Sequence, residues 1–376
     1  MKKNYFLLAA STMMFAACAQ NDLVNEVVTE EAPQAIEFEP FANKATRADE
    51  TAENSNATTK TSFSAHHDKF LVWGYKDTET TKYVFGTATN DGQIVNADGT
   101  YTPKKYWDKA ATAYEFYAAA PNNAEWTLNA NTGDQDDDYF TYADFKLTGT
   151  TLPLVNGTAP TNSFKSVADV DLMIASPAQV TSFTNNVALN FNHILSRLNI
   201  TVTKGTNITN SSTKLEIKSI SVNNLVCKGT FNESDTEGHR WDVGATPVDY
   251  DVNGVAVSEV EAGKTYYIYQ TLIIPQDVTL EELERNGSDV HVTNSEPYIY
   301  IHYEIGGEKY EATINLAAAF GAKADDGNAT NGVEYQVVSF NEGYQNTLNI
   351  TIDSDEIKFT PNVFDWDNTS GGTTIE

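Results

Sequence analysis

The chain has 376 residues, with 24 basic and 52 acidic side chains and a formal net charge of -28. That length exceeds one ordinary core, so two domains are expected. So acidic a surface repels phosphate backbones and argues against nucleic acid as a partner. Hydrophobic residues at 40 % and charged residues at 20 % suit a folded soluble body, and 19 Tyr and 18 Phe against 4 Met favour half-buried pleated surfaces.

Met1-Lys2-Lys3 gives a positive start, and Tyr5 to Ala17 is an apolar run too short to span a bilayer comfortably. Ala16 and Ala17 stand directly before Cys18. Residues 1–17 therefore read as an export signal with Cys18 as the lipid attachment point; the alternative is an ordinary signal peptide with an incidental cysteine. Phe15 replaces the usual leucine of a lipobox. With Cys18 acylated, Cys227 has no partner and no disulfide is expected. Within Leu225-Val226-Cys227-Lys228-Gly229 it reads as a small buried side chain.

Residues 18–47 follow as a tethered propeptide. Ile36 and Phe38 alternate with Glu37 and Glu39, the pattern of one short half-buried strand. Lys44 and Arg47 lie in a small-residue polar stretch where a protease can cut, the bond after Arg47 and before Ala48 being the candidate. A tether with a removable strand beside it describes a stored assembly subunit. Ala48 to Thr61, rich in Thr, Ala, Asn and Glu without periodicity, reads as a linker.

In the first half of the body, Phe70 to Tyr75 is a strand with Leu71, Trp73 and Tyr75 on one face. Tyr83 to Gly86, Tyr106-Trp107 and Tyr114 to Ala120 are further strands, and Asn96 to Gly99 is a turn by its Asp-Gly pair. Gly133 to Asp138 is an acidic loop without EF-hand spacing, read as solvated, with calcium as the alternative. Asp171 to Ala175 closes this half.

Beyond it, Leu189, Phe191, His193 and Leu195 alternate, and the phase then switches to Leu198, Ile200 and Val202. A phase switch within one strand needs an extra residue, which predicts a β-bulge near Ser196 and Arg197 with Phe191 and Leu198 both buried. His193, on the apolar face, reads as a hydrogen-bonded core histidine rather than a metal ligand. Leu215 to Val222, Tyr266 to Ile274 and Gln345 to Ile352 are strands. Tyr298 to Ile305, Gly306-Gly307 and Glu308 to Ile314 form a hairpin. Short helices are expected at Leu280 to Arg285 and Leu316 to Phe320, and Glu356 to Trp366 ends the body. Strands at regular spacing in two runs predict an all-β fold of two antiparallel β-sandwich domains in tandem, residues 48–183 and 184–376.

No nucleophile motif, phosphate loop or metal-ligand spacing is present, so no catalytic residue, cofactor or metal site is expected. Carboxylates brought together only by the fold are the one catalytic arrangement that spacing does not address.

The features that run in order along the chain are Cys18 after its apolar run, Ile36-Glu37-Phe38 followed by Thr46-Arg47-Ala48, Trp107 leading to Tyr114 through Pro121, Leu172 to Ala175, Phe191 to Leu198, and the ending from Gly343 to Trp366. In this order the sequence resembles the fimbrillin family, the type V pilins of the Bacteroidales. The resemblance implies two transthyretin-like sandwiches, export as an outer membrane lipoprotein, and an arginine-specific extracellular cut that removes the first strand. It also implies a groove that then accepts a strand from a neighbouring fimbrial subunit. On that scheme the donor is sought between Ile357 and Ile375, where Ile357, Phe359 and Val363 share one parity and Pro361 marks an edge or a break. The competing reading is a monomeric surface-anchored lipoprotein that binds a glycan or a protein, with Trp73, Trp107, Trp126 and Trp241 as sugar platforms.

Overall fold

The alternating and aromatic stretches fold as strands almost throughout. The computed structural model describes residues 33–42, 61–77, 83–87, 91–129, 138–147, 171–183, 186–208, 213–234, 240–243, 252–254, 256–281, 296–321, 335–354, 357–365 and 373–374. The chain opens with β1 (Phe38–Ala42), β2 (Thr61–Ser62), a 3-10 turn at Phe63–Ala65, β3 (Lys69–Lys76), β4 (Tyr83–Phe85) and β5 (Gln93–Asn96). Next come β6 (Tyr114–Ala120), β7 (Trp126–Asn129), β8 (Tyr139–Lys146), β9 (Met173–Val180), β10 (Val187–His193) and β11 (Ser196–Lys204). They are followed by β12 (Leu215–Asn223), β13 (Lys228–Asn232), β14 (Trp241–Asp242), β15 (Val252–Asn253), β16 (Thr265–Ile273) and β17 (Gln276–Glu281). The last are β18 (Tyr298–Ile305), β19 (Glu308–Asn315), the short helix α1 (Leu316–Ala319), β20 (Tyr335–Phe340), β21 (Tyr344–Ile352), β22 (Ile357–Asp365) and β23 (Thr373–Thr374).

The fold is all-β. The largest sheet runs β2-β1-β10-β9-β6-β3-β4, with β5 also on β3. A second runs β16-β11-β21-β22-β23, a third β15-β12-β18-β19, a fourth β14-β13-β8-β7, and β17 pairs with β20. The fourth sheet joins β7 and β8 to strands some hundred residues later, with Phe231 opposite Tyr142.

Two apolar cores share the largest sheet. Phe70, Val72, Phe116 and Ala118 face the smaller core, while Leu71, Trp73, Tyr75, Tyr117 and Ala119 face the larger. A strand covered on both faces reads as an unbroken apolar run, which is why Phe70-Leu71-Val72-Trp73 does not alternate.

The phase switch after His193 has a different cause from the expected bulge. The chain leaves the largest sheet at the end of β10 and enters the second sheet at Ser196, with Ile194 and Leu195 as the crossing. Two strands in two sheets have independent phases, so no extra residue is needed at Ser196 and Arg197. The register shift of β11 against β16 falls later, between Ile200 and Thr201. Phe191 and Leu198 are both fully buried.

Three further expectations are corrected. Leu280 continues strand β17 instead of starting a helix, because Gln276–Glu281 pair residue for residue with β20. Tyr106-Trp107 is not a strand: Tyr106 forms a single bridge with Ala35. Pro361 does not break its strand but sits opposite Leu348 in an uninterrupted register. The expected helix after Asn315 is present as α1, capped by the Asn315 side chain, which accepts from the Ala318 N–H at 3.0 Å.

Phe191 is wedged against Phe63 and Phe70, with ring centroids 4.5 and 5.2 Å away. Phe191→Ala is expected to cost about 3–5 kcal/mol as a core cavity. Urea denaturation measures it, and a loss below about 1 kcal/mol would contradict this packing.

Candidate functional site

The first strand is built into the largest sheet by three kinds of contact. Its backbone runs parallel to β10, with Phe38 opposite Val187 and Ala42 opposite Phe191. The other pairings of that sheet are antiparallel among the described residues. On its other side β1 pairs, among the described residues, with the two-residue β2 at Phe41 and Ala42. Upstream, the Ile36 N–H donates to the Lys105 carbonyl at 2.9 Å, the Trp107 N–H donates to the Gln34 carbonyl at 3.0 Å, and the Val187 N–H donates to the Glu37 carbonyl at 2.7 Å.

The alternation read from Ile36 to Glu39 sorts these side chains by face. Ile36 and Phe38 are 0 % and 4 % exposed, whereas Glu37 and Glu39 are exposed. The Phe38 ring lies in an aromatic nest, with centroids 5.0 Å from Phe85, 5.6 Å from Phe116 and 5.7 Å from Tyr101. Burying two such side chains is worth roughly 3–6 kcal/mol together. The outward ion pair of Glu37 with Lys104, at 3.9 Å and exposed on both sides, adds little.

Two residues that the sequence did not connect with β1 complete the groove. Gly99, with φ of 80°, lies so close to β1 that a Cβ there would stand 2.0 Å from the Phe38 carbonyl oxygen. The Tyr101 hydroxyl donates to the Ile36 carbonyl at 2.7 Å, and burial pushes that hydroxyl above the usual tyrosine value. The Asp-Gly turn was legible as a turn, but its contact with a segment some sixty residues earlier was not. Tyr101→Phe is expected to cost about 1–2 kcal/mol, because the Ile36 carbonyl loses this buried donor. Chemical denaturation of the uncut protein checks this; no change would show that the bond contributes nothing to holding β1.

The candidate donor residues occupy β22. All nine positions of this strand pair with β21, from Ile357 opposite Ile352 to Asp365 opposite Tyr344. Ile357 and Phe359 are partly buried and pack on the larger core, and Val363 is partly buried. On the far side of β22, β23 pairs with it at Asn362 and Val363. Cys18, Arg47, Ala48, residues 134–137 of the acidic loop and Ile375 lie outside the described residues.

A model of the fimbrillin-like family matches residues 46–366. The chain belongs to the fimbrillin-like family. The match supports a fimbrial or adhesin function. No curated protein matches it. Among solved structures, a fimbrial protein from Bacteroides vulgatus is 14 % identical, covering 89 % of this chain and 99 % of its own, with a TM-score of 0.46. A candidate cell-adhesion protein from Bacteroides uniformis is 14 % identical, covering 88 % of this chain and 98 % of its own, with a TM-score of 0.45. Among the described residues of this fimbrillin-like chain, no helix is long and apolar enough to cross a membrane.

The tryptophans proposed as sugar platforms are not at the surface. Trp73, Trp126, Trp241 and Trp107 are 0, 0, 4 and 6 % exposed. Cys227 is also buried, and burial raises its thiol pKa. His193 is buried and hydrogen-bonded, its Nδ1 lying 2.9 Å from Asp171 Oδ1. His66 lies in the same buried cluster.

Proposed function

We propose that this chain is a structural fimbrial subunit, exported as an outer membrane lipoprotein through Cys18 and stored with β1 in place. An arginine-specific protease cuts after Arg47, the segment carrying Ile36 and Phe38 leaves, and the vacated groove along β10 takes a strand from a neighbouring subunit. The donor is the segment of Ile357, Phe359 and Val363. The division into two tandem sandwiches belongs to the same reading; the change of sheet at Ile194 and Leu195 is the feature nearest the expected boundary at residue 184.

One observation carries the choice of donor. Ile36-Glu37-Phe38-Glu39-Pro40 and Ile357-Lys358-Phe359-Thr360-Pro361 share the pattern Ile-x-Phe-x-Pro. The edge pairing matches as well. A two-residue antiparallel strand joins β1 at the two positions after Pro40 and joins β22 at the two positions after Pro361. Proline lacks the N–H that a partner on that edge would need, so in both strands pairing begins only beyond it. The two strands thus present the same side chains and the same backbone donors to a groove. Ile36 and Phe38 are fully buried where Ile357 and Phe359 are only partly so, and filling the open groove therefore removes more apolar surface from water.

Intact mass of the surface protein tests the processing steps. A lipid-bearing start at Cys18 before cleavage and a start at Ala48 after it are expected. Cys18→Ser removes the thiol needed for the thioether, so this variant should not partition with the outer membrane. Wild-type partitioning of the Ser variant would end the lipoprotein reading.

A further inference from the structure

We infer that His66, Asp171 and His193 form a buried site for one divalent transition-metal ion of the zinc class. The three side chains are 1, 0 and 3 % exposed. One nitrogen from each ring and one carboxylate oxygen all lie within 4.8 Å of one another. Both Nδ1 atoms face the same carboxylate from different sides: His193 Nδ1 is 2.9 Å from Oδ1 and His66 Nδ1 is 3.8 Å from Oδ2. The first distance is a hydrogen bond; the second is too long for one. Around a tetrahedral zinc with bonds of about 2.0–2.2 Å, donor atoms stand roughly 3.3–3.5 Å apart. The first separation lies below that value, the second lies above it and runs to the other oxygen, and all three donors stand within 4.8 Å of one another, so an ion draws the rings inward and turns the carboxylate to bring one atom of each onto a common centre.

The donor set selects the ion. Two imidazoles and one carboxylate are borderline ligands that suit zinc and its neighbours, whereas calcium and magnesium take oxygen donors. Burial excludes bulk water and fits a structural ion rather than a catalytic one. His67, 1 % exposed, lies within electrostatic reach of Asp171 but outside this group of three, and the fourth position falls to a water or a further side chain. Binding balances in protons: the ion takes neutral imidazoles and an ionised carboxylate, and the proton between His193 Nδ1 and Asp171 moves to His193 Nε2 or to solvent.

The location gives the site a purpose. His193 ends β10, two residues beyond the Phe191 that pairs with β1. His66 follows the 3-10 turn after β2, which flanks β1 on the other side. An ion here ties together the two strands that border β1, at the end of the groove where β1 finishes. The ties join segments more than a hundred residues apart, where closing a loop otherwise costs most entropy. The inference rests on side chains of the body alone and stands whether or not strands are exchanged.

The test uses the full chain, stripped with a chelator and then offered zinc or cobalt. One zinc per chain is expected by elemental analysis, with a rise in Tm of about 3 °C at a hundredfold excess over Kd. Cobalt should give the visible absorption of a tetrahedral nitrogen and oxygen site. His66→Gln and His193→Gln should each abolish the stoichiometric metal and the Tm rise. If His193→Gln fails to fold, His66→Gln and the wild-type cobalt spectrum decide. Wild-type protein that holds less than about a tenth of an equivalent and shows no cobalt spectrum overturns the site and leaves a hydrogen-bonded core cluster. Metal that persists in a folded variant overturns it too.

Discussion

Gly99→Val is expected to loosen β1 while leaving the rest of the protein folded. The added Cβ would lie 2.0 Å from the Phe38 carbonyl oxygen and 2.9 Å from its carbonyl carbon. Both are backbone atoms, so no side-chain rotation relieves the clash, and β1 itself must move. The left-handed φ of 80° adds roughly 1–2 kcal/mol of strain for a residue with a side chain. Amide exchange at Phe38, Glu39, Phe41 and Ala42 should then accelerate by at least about a hundredfold, the equivalent of about 2.8 kcal/mol. Gly263 supplies the control: its φ is 75°, and a Cβ there meets nothing within 4 Å. Gly263→Val should carry the backbone strain without the effect on β1. Equal exchange at β1 in both variants would show that Gly99 does not hold the strand in place.

The sequence displayed what is local. Ile36 to Glu39 alternates because one face of that segment meets a core, and the Gly306-Gly307 hairpin is legible because its turn and both strands are contiguous. The partners of these strands were not legible. β1 pairs in parallel with β10, about 150 residues later, and nothing in either segment names the other. The same gap produced the error at Ser196 and Arg197, where a change of parity has two physical causes: an extra residue in one strand, or a move to another sheet. Parity alone does not separate them. His66 was out of reach for the same reason, since Asp171 and His193 join it only through the packing of β9, β10 and the turn after β2. Gly99 announced a turn, but its second role depends on a carbonyl that only the fold brings near.

Cutting after Arg47 should convert a monomer into oligomers that resist mild denaturant, and Arg47→Ala should remain monomeric. While β1 is part of the chain, its contacts act at no translational cost. Once it is severed, the segment must be retained as a separate molecule, against roughly 4–15 kcal/mol of lost freedom. The roughly 3–6 kcal/mol of apolar burial from Ile36 and Phe38 reaches only the lower end of that cost. Its departure exposes the edge of β10 and the aromatic nest around Phe38, both costly to leave wet. Exchange at Val187 to Phe191 should therefore rise after the cut and fall again in the oligomer. Removing everything from Ile357 onward is a poor test of the donor, because it also strips β21 of its nine-residue partner and uncovers the larger core. Deleting residues 366–376 keeps β22 whole and removes β23. If Ile357 to Pro361 replaces Ile36 to Pro40, this shorter chain should still assemble after cutting, and Phe359→Asp should not, since a charge cannot enter the nest that holds Phe38. Phe359 also packs in its own chain, so the Asp variant must first melt as a folded monomer before the cut. A folded Phe359→Asp variant that assembles like wild type would assign the donor to another segment. Cut wild-type protein that stays monomeric while β10 remains protected would show that β1 never leaves.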